Sequence, residues 1–289
     1  MTRWRLDLAY DGTDYRGWAA QPGQRTVQGV LEEWLARLLR PAEPVALVVA
    51  GRTDAGVHAV GQVAHVDLPD ALDDDVEARL LQRLRRVVPD DIVVRGLARA
   101  PGGFDARFSA LARRYCYRLW DADSSPDPRL RRQVTTVAVR LDVAAMGAAG
   151  ASLLGLRDFA PFCKRRDGAT SIRVLQELSV RRCDDPCGTI EVWAQADAFC
   201  HSMVRCLAGV LVCIGSGRRD RVWLADAAAR TERHGDIPAL PPGGLTLERV
   251  FYPPDEELAA QAARARVQRT MDDLPVGPVD PSSVMGGPE

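Results

Sequence analysis

Lysine is almost missing from this chain of 289 residues: of 38 basic side chains, 37 are arginine and one, Lys164, is lysine. Chemistry that needs an amine, such as a Schiff base or a phosphate-loop lysine, therefore has one candidate. Its surroundings, Cys163-Lys-Arg-Arg-Asp-Gly168, lack the glycine spacing of a phosphate loop. Long apolar runs are missing too; no stretch reaches the ~18 residues that a membrane-spanning helix needs. The opening residues, Met1-Thr-Arg-Trp-Arg-Leu-Asp7, hold no apolar signal core, so a secretory leader is not expected. The seven cysteines, an odd number spread from Cys116 to Cys213, do not form a disulfide framework, and a reduced, cytoplasmic chain is the expectation.

What is present is an ordinary globular composition, 46% apolar and 27% charged, on a chain long enough for one large or two ordinary domains. The net charge is −1, unevenly placed: residues 254–289 carry seven acidic and three basic side chains, leaving 35 basic against 32 acidic in the rest. A polyanion partner does not follow from that sum, because the field at a cleft depends on where arginines cluster.

The periodicity predicts alternating strands and helices. Trp4, Leu6, Leu8 and Tyr10 share one face of a half-buried strand that ends in the turn Asp11-Gly-Thr-Asp14. Thr26 reads as the cap of a helix with Val27, Leu31, Leu35 and Leu38 on one stripe. Further strands are expected at Val45–Val49, Val60–Leu68, Ile92–Ala98, Arg114–Trp120, Thr135–Arg140, Ile172–Arg182, Thr189–Ala196 and Leu245–Tyr252. Helices are expected near residues 76–87, after Asp142, and from about Ser202 to Ile214. Hairpins mixed with crossovers indicate an α+β fold with largely antiparallel sheets. The predicted division is residues 1–104, 105–253 and a mobile tail at 254–289, with a short helical stretch at Glu256–Met271.

The informative segment is Gly51-Arg-Thr-Asp-Ala-Gly-Val-His58, followed by Gly61-Gln-Val63. Taken alone, Asp54 reads as a turn residue bonding its own backbone. Against that, Arg52 and His58 flank the acid, two glycines allow a tight shape, and a buried strand precedes the loop. The segment resembles the TruA-type tRNA pseudouridine synthases. Four other segments resemble that family's signatures in the family's order. They are Tyr10-Asp-Gly-Thr-Asp-Tyr-Arg-Gly-Trp18 with Thr26-Val-Gln28; Phe104-Asp-Ala-Arg-Phe-Ser-Ala-Leu-Ala-Arg-Arg-Tyr-Cys-Tyr117; Asp158-Phe159 with Phe162; and Ala196-Asp-Ala-Phe-Cys-His-Ser-Met-Val-Arg205. Together they span about residues 4–252.

The resemblance implies an isomerase that converts uridine to pseudouridine at positions 38, 39 and 40 of the tRNA anticodon stem-loop. It implies no metal and no cofactor, a homodimer, and two similar α/β halves around a central cleft. It makes Asp54 the nucleophile, Arg205 its cationic partner, and Tyr115 the ring that meets the extruded base. Arg52 would enter the space left by that base, and Leu245 would wall its pocket. Arg107, Arg113 and Arg114, beside the second signature, are the expected phosphate contacts; Lys164-Arg165-Arg166 and Arg218, Arg219 and Arg221 are weaker candidates. Three positions depart from the family pattern: Ala19-Ala20 after Trp18, Asp197 where Asn is common, and Ser202 where a second histidine usually follows His201.

Rival readings fare worse. A phosphotransfer turn would need a nucleophilic aspartate at position 9, which is Ala9. Cys183 and Cys187, or His58 and His65, have loose spacing and no fourth ligand nearby, so no structural zinc is expected. A non-catalytic RNA-binding protein remains the alternative from another class, as does a synthase acting on other uridines. A pure binder, however, has no need of a carboxylate facing a polyanion.

Overall fold

A computed structural model describes residues 1–68, 76–164, 170–233, 235–267 and 269–273. In chain order the elements are β1 (Thr2–Tyr10), α1 (Val27–Leu39), β2 (Leu47–Val49), β3 (His58–Leu68), α2 (Val76–Val87), β4 (Ile92–Arg99), β5 (Ala112–Trp120), β6 (Thr135–Thr136), α3 (Val143–Ala151), β7 (Gly155–Asp158), β8 (Ile172–Arg182), β9 (Ile190–Ala196), α4 (Met203–Gly215), α5 (Arg221–Ala228), β10 (Leu245–Phe251) and α6 (Leu258–Ala265). This is the α+β class read from the sequence. The chain forms two compact units: Met1–Leu111 with Leu247–Val267, and Ala112–Thr246 with the described residues after Val267.

In the first unit the strand order is β4-β1-β3-β10, with β2 beside β3. β1 runs antiparallel to both β3 and β4, and Leu6 sits opposite Ala64 on one side and Leu97 on the other. Trp4, Leu6 and Leu8 are fully buried, each worth roughly 1.5–3 kcal/mol of apolar transfer if an aliphatic side chain. Thr26 caps α1 through its hydroxyl, which accepts from Gly29 N–H, and the helix buries Val27, Leu31 and Leu35. Gly61 lets β3 lie against β10, since a Cβ there would stand 2.1 Å from the Glu248 carbonyl oxygen.

The first unit closes at Leu111 rather than near residue 104 because residues 105–111 fold back on the chain's last elements. Leu111 N–H donates to Phe251 O (2.8 Å), Ser109 Oγ to Leu258 O (3.1 Å), and Tyr252 Oη to Ala106 O (2.7 Å). The expected tail thus begins as folded chain: α6 buries Leu258 and Ala262. Residues 274–289 lie outside the described residues.

In the second unit the order is β5-β9-β8-β7, with β6 parallel beside β5. β5 pairs antiparallel with β9, β9 with β8, and β8 with β7. Asp142 caps α3 as expected, accepting from Ala145 N–H. Close backbone approaches at Gly150 and Gly215 seat α3 against β8 and α4: a Cβ on Gly150 would meet Leu178 O at 2.5 Å, one on Gly215 the Met146 side chain at 2.6 Å. The strand expected over Thr135–Arg140 shrinks to Thr135–Thr136, and α5 was not foreseen.

The expectation of a wholly reduced chain is corrected at one pair. Cys163 and Cys200 form a disulfide with Cα atoms 5.8 Å apart. Proximity across 37 residues has no trace in a cysteine count. The fold creates it by laying the segment after Cys163 beside the one leading into α4, where Lys164 N–H donates to His201 O (3.0 Å).

Candidate active site

Asp54 stands half-buried in the loop between β2 and β3. That loop is fixed through a succession of backbone bonds starting at a helix end. The first N–H groups of α1 have no partner within the helix. Val27 N–H donates to Gly17 O (3.3 Å) and Gln28 N–H to Trp18 O (3.0 Å). Trp18 N–H in turn donates to Thr53 O (3.0 Å), and Gly56 N–H to Tyr15 O (3.3 Å). Val57 N–H returns to Asp54 O (3.1 Å), which closes the turn around the acid. Two glycines make this contact of loops possible. A Cβ on Gly12 would stand 2.0 Å from Val57 O, and Gly17, at φ +91°, faces Thr53 O.

Under the loop lies a polar group that the sequence reading passed over. Gln62, fully buried in β3, donates from Nε2 to Gly51 O (2.8 Å) and to Tyr10 Oη (3.1 Å). Tyr10 Oη lies 2.8 Å from Thr53 Oγ1. Burial pushes the Tyr10 phenol up to about 12, against the opposing pull of its bonds to Thr53 and Gln62, so it stays protonated. Gln62 carried a signal in the sequence: an amide inside an apolar strand needs internal partners. Gly12 N–H also donates to His58 Nδ1 (3.1 Å), and the same nitrogen lies 3.1 Å from Asp11 Oδ1. Arg52, on the same loop, is exposed.

Arg107 also belongs to the first unit. It is exposed, with its guanidinium 5.0 Å from the centre of the Phe108 ring. A cavity of about 480 Å³ in this unit is lined by Arg5, Arg95, Phe104, Arg249 and Tyr252, and includes no residue of the Asp54 loop.

In the second unit, β5 alternation places Arg113, Tyr115 and Tyr117 on one face and Arg114, Cys116 and Arg118 on the other. Tyr115 is buried, and its ring meets Phe199 edge-on with centroids 5.1 Å apart. Arg113 is buried and donates to Asp197 O (2.7 Å). Arg114 donates to Glu177 (3.0 Å) and lies 4.5 Å over the Trp193 ring. These two arginines are therefore engaged within the protein and do not share a face.

Arg205 is the one residue of α4 that is not buried. Its Nε donates to Leu240 O (2.7 Å), while Leu240 N–H donates to Arg205 O (3.1 Å). Gly209 admits the chain beside it, since a Cβ there would meet Pro238 O at 2.2 Å. The Tyr117 hydroxyl donates to Pro241 O (2.6 Å) and contacts Thr135 Oγ1 (2.7 Å). Burial drives Tyr117 up to about 12, although Thr135 and the charge of Arg205 pull the other way. Two residues beyond Gly243, Leu245 is buried at the start of β10. The second unit thus gathers Arg205, Tyr117 and the 240–245 segment, with Leu245 at its end.

Other signature residues prove to be scaffold. Asp158 accepts from Ala160 N–H (2.9 Å) and the Ser171 hydroxyl (2.5 Å), and Phe159 and Phe162 are core. Asp197 accepts from Val174 N–H (3.0 Å) and pairs with Arg269. Arg165 and Arg166 lie outside the described residues. Among the described residues no group of three or more His, Cys, Asp or Glu side chains is placed to hold a metal ion, and no helix is long and apolar enough to cross a membrane.

A family described as tRNA pseudouridine synthase matches residues 149–253. Similarity extends well beyond that stretch. The chain is 57% identical to tRNA pseudouridine synthase A of Cutibacterium acnes, over 95% of this chain and 97% of the relative. It is 54% identical to the protein of that name from Frankia casuarinae (93% and 96% covered) and 51% identical to that from Streptomyces avermitilis (94% and 95%). The chain belongs to the tRNA pseudouridine synthase A family.

Proposed function

We propose that this protein isomerises uridine to pseudouridine in the anticodon stem-loop of tRNA, at positions 38, 39 and 40, with Asp54 as nucleophile. Membership of the family makes it an isomerase. The observation that carries the residue assignment is Asp54 itself: a half-buried carboxylate on a loop tied to the 12–18 segment and to β3.

In the reaction the bond from ribose C1′ to uracil N1 breaks, the base turns, and C1′ bonds to C5. The proton leaves C5 and N1 ends protonated, so nothing is gained or lost overall. The target base must first leave the helical stack. Asp54, ionised, attacks either C1′ or C6 and holds the adduct while the base turns. Arg205 is the cationic partner of the acid in this reading, and Tyr115 stacks on the base, its hydroxyl assisting removal of the C5 proton. Leu245 walls the base pocket, and Arg52 takes the place of the extruded base. Arg107, exposed and basic, Arg113, which bonds Asp197, and Arg114, which bonds Glu177, are the proposed phosphate contacts. The same reading makes the enzyme a cytoplasmic homodimer that needs no metal or cofactor.

The test uses tRNA carrying tritium at uridine C5, followed by mapping of the modified positions. Release of tritium with pseudouridine at positions 38 to 40 is expected. Binding without release would favour the RNA-binding alternative, and release with modification elsewhere would change the substrate site.

A further inference from the structure

The buried group under the Asp54 loop has no part in the chemistry just described. It consists of three residues from three segments: Tyr10 at the end of β1, Gln62 in β3 and Thr53 in the loop itself. All three are buried, Gln62 completely and Thr53 at 6% exposure. Gln62 Nε2 has only protons to give, so Gly51 O and Tyr10 Oη accept from it. The Tyr10 hydroxyl, whose oxygen accepts from Gln62, shares a second hydrogen bond with Thr53 Oγ1, in which either hydroxyl can be the donor.

We infer that Tyr10, Gln62 and Thr53 are positioning residues that aim the Asp54 carboxylate. The inference rests on the reading of Asp54 as the reacting acid. Residues 51–53 are held at three points: Gly51 O by Gln62, Thr53 Oγ1 by Tyr10, and Thr53 O by Trp18 N–H. The first two come from the sheet below, the third from the loop alongside. Fixing both the carbonyl and the hydroxyl of Thr53 fixes the peptide that leads into Asp54, and with it the direction in which the acid leaves the backbone. Glycine at position 51 has no side chain to hold the loop by packing, so hydrogen bonds carry that task. The sheet register sustains the arrangement, because Tyr10 pairs with Ala59 and Leu8 with Gln62, which places both partners one strand apart. The Tyr10 ring is itself packed beside Trp18, centroids 6.0 Å apart.

The experiment compares the wild type with Thr53→Val, Thr53→Ser, Tyr10→Phe, the Tyr10→Phe/Thr53→Val double variant and Asp54→Asn on one unmodified tRNA transcript. It measures kcat, KM, tRNA Kd and thermal unfolding. Valine keeps the shape of threonine and removes the hydroxyl; serine keeps the hydroxyl. Misplacing a reacting group by about 1 Å costs on the order of 10²-fold, so Thr53→Val and Tyr10→Phe are each expected to lose kcat by about that factor, with KM and tRNA Kd nearly unchanged. Thr53→Ser is expected to restore most of the rate. The double variant is expected to be no slower than either single one, because both remove the same bond.

Wild-type kcat in Thr53→Val and Tyr10→Phe, with Asp54→Asn inactive, overturns the positioning role and leaves the nucleophile assignment standing. So does a serine variant as slow as the valine one, or a loss confined to KM or folding. Full activity in Asp54→Asn overturns the nucleophile reading, and the inference with it.

Discussion

The Asp54 loop and the Tyr115–Arg205 region reach order by different routes. In the first unit Asp54 sits on irregular backbone, held by hydrogen bonds from the 12–18 segment, which is itself bonded to the first turn of α1, and from Gln62 and Tyr10. In the second, Tyr115 is placed by strand register against Ala194, and Arg205 by a helix buried at every other position. One side chain must take a fixed direction from a loop; the others inherit theirs from regular elements. A loop braced by hydrogen bonds tolerates few changes of donor or acceptor. Residues on packed strands and helices depend instead on volume and on close backbone contact.

The largest stability effect is expected on the second side, where the segment before α4 is tied covalently. Breaking the Cys163–Cys200 bond by Cys200→Ser opens a loop of 37 residues, for which chain entropy gives about 4 kcal/mol. Denaturant unfolding of the oxidised wild type and the variant measures it. Equal midpoints would show that the covalent tie contributes nothing and that the two regions are held alike.

Two glycines sharpen the contrast at about 1–3 kcal/mol each, the cost of forcing extra atoms into a packed site. Gly12→Ala would drive a Cβ against Val57 O, and Gly209→Ala one against Pro238 O. Both are expected to lower the unfolding midpoint. Gly12→Ala should also slow turnover through Asp54, whereas Gly209→Ala should disturb the Leu240 contact of Arg205. Equal kinetic profiles would blur the distinction.

Titration adds an acid limit from Asp121 in the second region and an alkaline limit from Tyr10 in the first, the latter shared by Tyr117 in the second. Asp121 directly follows β5. Burial alone would raise its carboxyl, but bonds from Arg182, Leu141 N–H and Ser124 hold it down to about 2. Its contribution is complete above the ordinary carboxylate range and is lost as pH falls towards about 2. Tyr10 is the reverse: burial raises it to about 12, so its contribution is complete below the ordinary phenol value and is lost as pH rises towards about 12. Unfolding followed across pH should show the acid loss reduced in Arg182→Met and the alkaline loss reduced in Tyr10→Phe. The smallest effect belongs to Arg107→Ala, which should lower the slope of log K for tRNA against log salt by about 1.

Much of this was legible in the residues. Alternation in Trp4–Tyr10 and the apolar stripe after Thr26 marked β1 and α1, and the run from Ser202 marked α4 and left Arg205 as its one polar interruption. Asp54 alone read as a turn residue, with flanking glycines and charges against that reading, and its proposed role came from the resemblance of residues 51–58 to the family. What could not be read were contacts between distant segments. The fold-back of residues 105–111 on Phe251 and Leu258 moved the unit boundary, and α6 buries only a leucine and an alanine, too slight an apolar stripe to announce a packed helix. The pairing of Cys163 with Cys200 and the engagement of Arg113 and Arg114 by Asp197 and Glu177 likewise depend on register across the sheet. Composition near a signature pointed to three phosphate-binding arginines, but strand alternation divides two of them between opposite faces.

The most direct test of the central claim is tritium release from C5-labelled tRNA by Asp54→Asn, measured alongside its affinity for the same tRNA. The variant is expected to bind tRNA like the wild type and to release no tritium above background, a loss on the order of 10⁴-fold or more. Release at a rate near that of the wild type would contradict the claim.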